Sequence, residues 1–246
     1  MADLERYITA QKAISRAAVE SGLSSVSDPF GSTDPAHNQL IELLTSVGQE
    51  LLYLNQWQYM VREETFTTVV PGDTGDYDLP TDFGYMIPQT GWERTNNVPL
   101  YGPLSAQDWQ YLKGRDLVDS TIYASFRVSE NQLKLYPQPP TDGLEIAYEY
   151  MSRNWLLKAG GGYRDSVQAN DDTVLYQPIL VVKALKRAFL AARGFDTTRA
   201  DAEYEKALDA YIGNDESAPI LNAGTNSRSF PYLHSRYNTP DKGFGA

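Results

Sequence analysis

Cysteine is absent from the 246 residues. Disulfides, thiolate nucleophiles and cysteine-ligated zinc are therefore excluded. Histidine is almost as scarce: His37 and His234 are the only two. Neither sits in a nucleophile-elbow pattern, so both read as solvent-facing polar residues rather than members of a Ser-His-Asp triad. No apolar run is long enough to cross a bilayer. The nearest, 174–190, is broken by Gln177, Pro178, Lys183, Lys186 and Arg187. The opening residues, Met1-Ala2-Asp3-Leu4-Glu5-Arg6, lack the basic stretch and apolar run of a signal peptide, and none is expected. Positive charge is also short: 21 Lys and Arg face 32 Asp and Glu, for a net charge of -11 and a pI near 4.6. Such a chain is a poor general binder of phosphate backbones, although DNA can slide past an acidic surface without sticking.

What is present suffices for one large domain or two small ones, with 41% hydrophobic residues to build a core. Leu4, Tyr7, Ile8, Ile14 and Ala18 recur at helical spacing and predict a first amphipathic helix, stopped at Gly22. Asp34-Pro35 reads as an N-cap followed by a first-turn proline. It opens a second helix with Leu40, Leu44, Val47, Leu51 and Leu54 on one stripe. After Trp57 the pattern becomes extended. Thr65 to Val70, a turn over 71–76 and Tyr77 to Leu79 predict a hairpin. Met86 to Trp92 reads as another strand. Ser105 N-caps a short helix bearing Trp109 and Leu112 and ending at Gly114. Strands follow at 123–128, 132–136 and 144–151, the first two joined by Ser129-Glu130-Asn131. In the last, Leu144, Ile146, Tyr148 and Tyr150 share one face, and Glu145 and Glu149 the other. Residues 154–170, with Gly160-Gly161-Gly162, read as an exposed loop. Two helices close the ordered pattern, one reaching Ala192 and stopping at Gly194, the other capped by Thr197 or Thr198 and ending at Gly213.

The fold class expected is α+β. A helical bundle is built from the N-terminal helices (1–61) and the loop and C-terminal helices (154–213), with an antiparallel β domain (62–153) inserted. Residues 214–246 form an extended C-terminal arm. Periodicity is lost there, and Asp215, Glu216 and Asp241 balance Arg228, Arg236 and Lys242, so the net charge lies on residues 1–213. Phe230, Tyr232, Leu233, Tyr237 and Phe244, with Arg236 among them, are interspersed in the arm. Aromatics in a polar segment suggest docking on a partner rather than solubility alone.

Catalytic signals are weak. Gly160-Gly161-Gly162 lacks the Gly-Lys-Ser/Thr ending of a phosphate loop. Asp73, Asp76 and Asp78 lack calcium-loop spacing and read as turn residues. Asp171 and Asp172 read as caps of the following helix. Glu145 and Glu149, with Glu63 and Glu64 as further acids, are the pair a glycosidase would use. Lys183, Lys186, Arg187 and Arg193 form the best basic stripe, which phosphate contact or neighbouring acids would each explain. No cofactor and no metal site is expected.

Several segments, in order, resemble the head-to-tail adaptor, or connector, proteins of tailed bacteriophages, in particular the tail tubular protein A-like group. They are Asp76-Tyr77-Asp78-Leu79-Pro80-Thr81-Asp82-Phe83, Trp92-Glu93-Arg94-Thr95 leading to Pro99-Leu100, and Gly102-Pro103-Leu104-Ser105-Ala106-Gln107-Asp108-Trp109. Next come Leu135-Tyr136-Pro137-Gln138-Pro139-Pro140 and Tyr148-Glu149-Tyr150-Met151-Ser152-Arg153-Asn154-Trp155. Last are Asn170-Asp171-Asp172-Thr173-Val174-Leu175 and Ala202-Glu203-Tyr204-Glu205-Lys206-Ala207-Leu208. The resemblance covers nearly the whole chain.

It implies a structural virion protein and not an enzyme. Copies assemble with themselves into a ring, a dodecamer in this group, below the portal protein. The ring extends the channel through which DNA passes without specific binding, and presents the attachment site for a downstream tail or nozzle protein. The arm residues Phe230, Tyr232, Leu233, Arg236, Tyr237 and Phe244 would bind the portal. The expected location is the virion neck or tail, after synthesis in the host cytoplasm, with no membrane contact. The alternatives are a virion-associated cell-wall hydrolase acting through Glu145 and Glu149, and a tail-tip glycan-binding module within residues 62–152.

Overall fold

The computed structural model describes residues 6–69, 74–115, 125–138 and 142–215, all within one compact unit, residues 1–216. The arm residues named above lie outside the described residues. In chain order the elements are β1 (Ile8–Thr9), α1 (Ala10–Glu20), α2 (Pro35–Leu52), a single 3-10 turn (Gln58–Met60), β2 (Val61–Thr67), β3 (Asp76–Asp78), β4 (Phe83–Met86), β5 (Trp92–Glu93) and β6 (Val98–Pro99). There follow α3 (Ala106–Arg115), β7 (Ser125–Ser129), β8 (Gln132–Tyr136), β9 (Glu145–Ser152), β10 (Leu156–Leu157), β11 (Tyr163–Arg164), β12 (Thr173–Val174), α4 (Pro178–Ala192) and α5 (Thr198–Asp215). The protein is mixed α/β, and every pair of named strands is antiparallel, in agreement with the class expected.

Local chemistry sets the helix starts. The Asp34 side chain accepts from Ala36 N at 2.9 Å, with Pro35 in the first turn of α2. Ser105 Oγ accepts from Asp108 N at 3.1 Å and donates to the Asp108 carboxylate at 2.7 Å, a reciprocal cap for α3. The first helix begins later than its apolar spacing predicts. Thr9 caps α1 by accepting from Lys12 N, and Ile8 pairs with Val174 as a strand. Ile8 is buried in either geometry, so spacing alone did not distinguish them.

Helices α1 and α2 pack on α4 and on each other, and α5 packs on α4. Ile14, Leu40, Leu44, Leu51, Leu180 and Leu185 of these helices share one core with Trp57, Met60, Met151, Trp155, Val174 and Tyr176. A second core lies between β2-β9-β5-β6, with β4 also on β9, and β3-β8-β7; it contains Leu79, Leu100, Phe126, Leu133, Leu135, Ile146, Tyr148 and Tyr150. Strand β9 joins the two. Ile146, Tyr148 and Tyr150 enter the second core, as their alternation predicts, and Met151 enters the first. Asp82 secures this junction: its carboxylate accepts from Tyr150 Oη at 2.9 Å and Ser152 Oγ at 2.6 Å and pairs with Arg62 at 3.0 Å.

Four further expectations are corrected. The hairpin from Thr65 to Leu79 does not form. All seven residues of β2 pair with β9, from Val61↔Met151 to Thr67↔Glu145, while β3 pairs with β8. The seven-residue ladder satisfies more backbone hydrogen-bonding groups than a three-residue partner could. The strand expected over 86–92 is interrupted: Pro88 has no N–H, Gln89 is left-handed at φ 64, and the Thr90 hydroxyl accepts from Glu149 N in place of a ladder bond. Residues 154–170 are not a plain loop. Trp155 and Leu156 are fully buried, and β10 pairs with β11 and β12. The triple glycine is the β10–β11 turn, with Gly161 and Gly162 at φ 89 and 82. Finally, α5 continues through Gly213 to Asp215, whose carboxylate accepts from Gln58 N at 2.9 Å.

Candidate functional site

Three of the four cations of the basic stripe are paired with acids within the fold. Lys183 Nζ lies 2.9 Å from Glu20 and 3.0 Å from Glu203, Lys186 lies 3.1 Å from Glu203, and Arg187 Nε lies 2.6 Å from Asp201. Arg199 also reaches Glu203, at 3.1 Å. Donation from Lys183, then Lys186 and Arg199, holds the Glu203 carboxyl down to about 2. Donation to the Glu20 and Glu203 carboxylates raises Lys183 in turn. Arg193 lies over the Phe189 ring at 5.1 Å. Lys183, Lys186 and Arg187 thus tie α4 to α1 and α5 and are not free for a phosphate track.

The candidate carboxylates do not form a glycosidase pair. Glu145 and Glu149 lie on one face of β9 but four residues apart, about 13 Å at strand rise, beyond the ~5–9.5 Å that either hydrolytic mechanism uses. Glu63 is the register partner of Glu149, and Arg94 pairs with both Glu63 and Glu145. Glu64 lies on the opposite face, near Tyr148. The face carrying Glu63, Glu145 and Glu149 is open to solvent, and none of these three acids lines a cavity described below.

His37 does not face solvent as expected: it is buried, with Nδ1 2.8 Å from Ser32 Oγ. Ser32 Oγ also accepts from Asp34 N at 3.2 Å. The nearby Asp34 carboxylate caps α2 and does not orient the imidazole. This group fastens a helix start and lacks the chain of contacts that activates a nucleophile. His234 and Asp73 lie outside the described residues. Asp76 and Asp78 accept from Gln138 and Gln132. Asp172 is not a cap of α4. Its buried carboxylate accepts from Gln168 N and Ala169 N, both at 3.0 Å, and pairs with Arg164 at 3.3 Å, so it shapes the turn before β12. Among the described residues no three of His, Cys, Asp or Glu are grouped as a metal would require. No helix among them is long and apolar enough to cross a membrane.

The surfaces are more informative than any polar cluster. A groove of about 670 Å³ lies beside α3 between Gln89, Leu100, Tyr101, Leu104, Tyr111 and Ser125. Tyr101 is 69% exposed and Tyr111 54%. A second surface gathers Arg6, Tyr7, Tyr59, Tyr163 and Arg62. Tyr7 and Tyr59 meet edge-on at 5.3 Å, and Arg62 lies over Tyr163 at 4.2 Å. Burial, with Tyr163 and Tyr7 alongside, pushes the Tyr59 phenol up. Next to it, a cavity of about 140 Å³ is lined by Trp57, Tyr176, Tyr211 and Asp215, where α5 ends. A third opening, about 310 Å³, lies between α2, α4 and α5. Tyr, Trp and Arg dominate protein-binding surfaces. The sequence reading missed the Arg–Tyr surface because its members come from three distant segments and share no local motif.

Exposed tyrosine-bearing surfaces of this kind fit contact with other proteins. The profile of the SU10 adaptor protein family matches residues 8–229, and the chain belongs to that family of phage head-to-tail adaptors. Membership implies self-association, contact with portal and tail proteins and a place at the virion neck. No curated protein matches the chain.

Proposed function

We propose that this adaptor forms a dodecameric ring below the portal, in the manner of the tail tubular protein A-like group. The ring extends the DNA channel and offers the downstream tail or nozzle protein its attachment site. The observation that carries this reading is the family match over nearly the whole chain. Charge supports it. Lys183, Lys186 and Arg187 of the best basic stripe are paired with Glu20, Glu203 and Asp201, and the net -11 lies on residues 1–213. A lumen lined by such a body repels phosphate and lets DNA pass. The helical bundle of residues 1–61 and 154–213 forms the ring wall. The β domain, 62–153, faces the next tail component or a neighbouring copy. The arm, 214–246, reaches the portal through Phe230, Tyr232, Leu233, Arg236, Tyr237 and Phe244.

Deletion of 216–246, which leaves α5 and its Asp215–Gln58 contact whole, tests the arm, with binding to portal-bearing heads measured by co-sedimentation and folding by circular dichroism. The expected result is a folded body that no longer sediments with heads. Undiminished sedimentation would overturn the portal-docking role.

A further inference from the structure

We propose that the ring closes through helix α1 of one copy against helix α5 of the next, joined by opposite charges at matched spacing; this rests on the ring reading above. Helix α1 buries Ala10, Ala13, Ile14, Ala17 and Ala18. It therefore presents Lys12, Arg16 and Val19 on its outer side, at i, i+4 and i+7. Lys12 and Arg16 are exposed, and neither side chain has an ion pair among the described residues. Val19, 54% exposed, extends the stripe with an apolar contact.

Helix α5 is the complement. Only Ala200 is fully buried, with Tyr204, Ala207, Leu208 and Tyr211 partly buried on the same side. The opposite side carries Ala202, Glu205 and Asp209, all exposed. Neither of these acids has an ion pair among the described residues. Lys206 lies on the flank of this stripe, about 100° round the axis from Glu205. One helical turn separates Lys12 from Arg16 and Glu205 from Asp209, about 6 Å in each case. The cations can therefore face the acids in register. The exposed acids of α2, Glu42 and Glu50, stand about 12 Å apart and do not match that spacing. Small Ala202 lets the helices approach closely.

A second copy is the occupant that charge favours. At net -11, copies repel one another unless a cationic patch meets an acidic one. Helices α1 and α5 both lean on α4, and Lys183 reaches a carboxylate on each, Glu20 and Glu203. The two stripes thus stand on different helices and point away from α4. A contact between two different patches of one chain is heterologous, the kind of interface from which a ring is built when its rotation closes.

The cysteine-free chain makes the test direct. Arg16→Cys and Asp209→Cys are purified separately, mixed, assembled on portal-bearing heads and oxidised, with wild-type rings followed by electron microscopy. The mixture should give a disulfide-linked dimer and the double variant a ladder of linked copies, while each single variant alone stays unlinked. In parallel, the double reversal Lys12→Glu with Arg16→Glu should lose ring formation, and Glu205→Lys with Asp209→Lys in the same chain should restore it. Linkage of either single variant with itself, or visible rings without linkage in the mixture, would overturn the α1–α5 contact and leave the ring reading standing. Heads bearing bound protein but no ring would overturn both.

Discussion

The Trp155 indole lies directly on Gly48, in the middle of α2. A Cβ added at Gly48 would fall inside the van der Waals envelope of the indole's Cζ2, Cε2 and Cη2. The same contact is closed from the other side: Trp155 stacks on Tyr176 with centroids 5.8 Å apart, and Tyr176 Oη donates to Gly48 O at 2.7 Å. Gly48→Ala should therefore destabilise the protein by about 1–3 kcal/mol, the range for overpacking a filled core, despite the ~1 kcal/mol that alanine gains in a helix interior. Denaturant unfolding would check this. A stabilised variant would mean that Trp155 moves aside freely.

Asp82 holds Tyr150, Ser152 and Arg62 at once, with its side chain 13% exposed. Burial first, and then the bond to Asp82, push the Tyr150 phenol up, so it remains a donor. Asp82→Ala leaves three partly buried groups without their acceptor and should cost about 2–4 kcal/mol. Asp82→Asn keeps an acceptor but loses the charge, and should cost about half as much. Equal losses in the two variants, measured by denaturant titration, would show that charge alone matters at this site.

Caps, turns and alternation were legible in the sequence because each is local. Asp34-Pro35, Ser105 with Asp108, and the Glu130-Asn131 turn, both residues near φ +60, depend on neighbours within three positions. So does the Ile146-Tyr148-Tyr150 face. The partner of β2 was not legible. It is a strand roughly 80 residues downstream, selected by a seven-residue register that no local pattern encodes. The two-residue strands β10, β11 and β12 were hidden for the same reason: they hold only because Trp155 and Leu156 are buried beside them. The Lys183 cluster was visible as a stripe, but its neutralisation depends on Glu20 and Glu203, far away in sequence. The adaptor resemblance was legible only from the order of many weak segments.

Acid should loosen α5 before it unfolds the rest. Glu203 titrates near 2 in the fold and near 4.5 when unpaired, and Asp201 is lowered by Thr197 and Arg187. Carboxyls depressed in the fold contribute stability above their unfolded values and lose it as pH falls through the folded ones. The loss thus falls between about pH 4.5 and 2. Protection from hydrogen exchange across 198–215, with the intrinsic rate at each pH divided out, should fall in that window, and Glu203→Gln should show weaker protection already at neutral pH. At the alkaline end the sign reverses. Burial raises Tyr148, Tyr150 and Tyr176, so their contribution is complete below pH 10 and is lost above it. Protection in α5 that stays flat from pH 5 to 2 would show that the ion pairs do not hold the helix.

The open acidic face of β2 and β9 should be catalytically silent. Glu63 and Glu149 face each other across the strands, and like charges placed so are mildly unfavourable, by tenths of a kcal/mol up to about 1 kcal/mol. Arg94, bound to Glu63 and Glu145, offsets part of this. Glu149→Gln removes one of the facing charges and should leave stability unchanged or raise it by a few tenths of a kcal/mol. A catalytic acid behaves otherwise: its amide variant abolishes turnover. Peptidoglycan release by the purified protein should not exceed the buffer control, and Glu145→Gln and Glu149→Gln should not alter it. Release above that control, abolished by either substitution, would replace the structural reading of this face with a hydrolytic one.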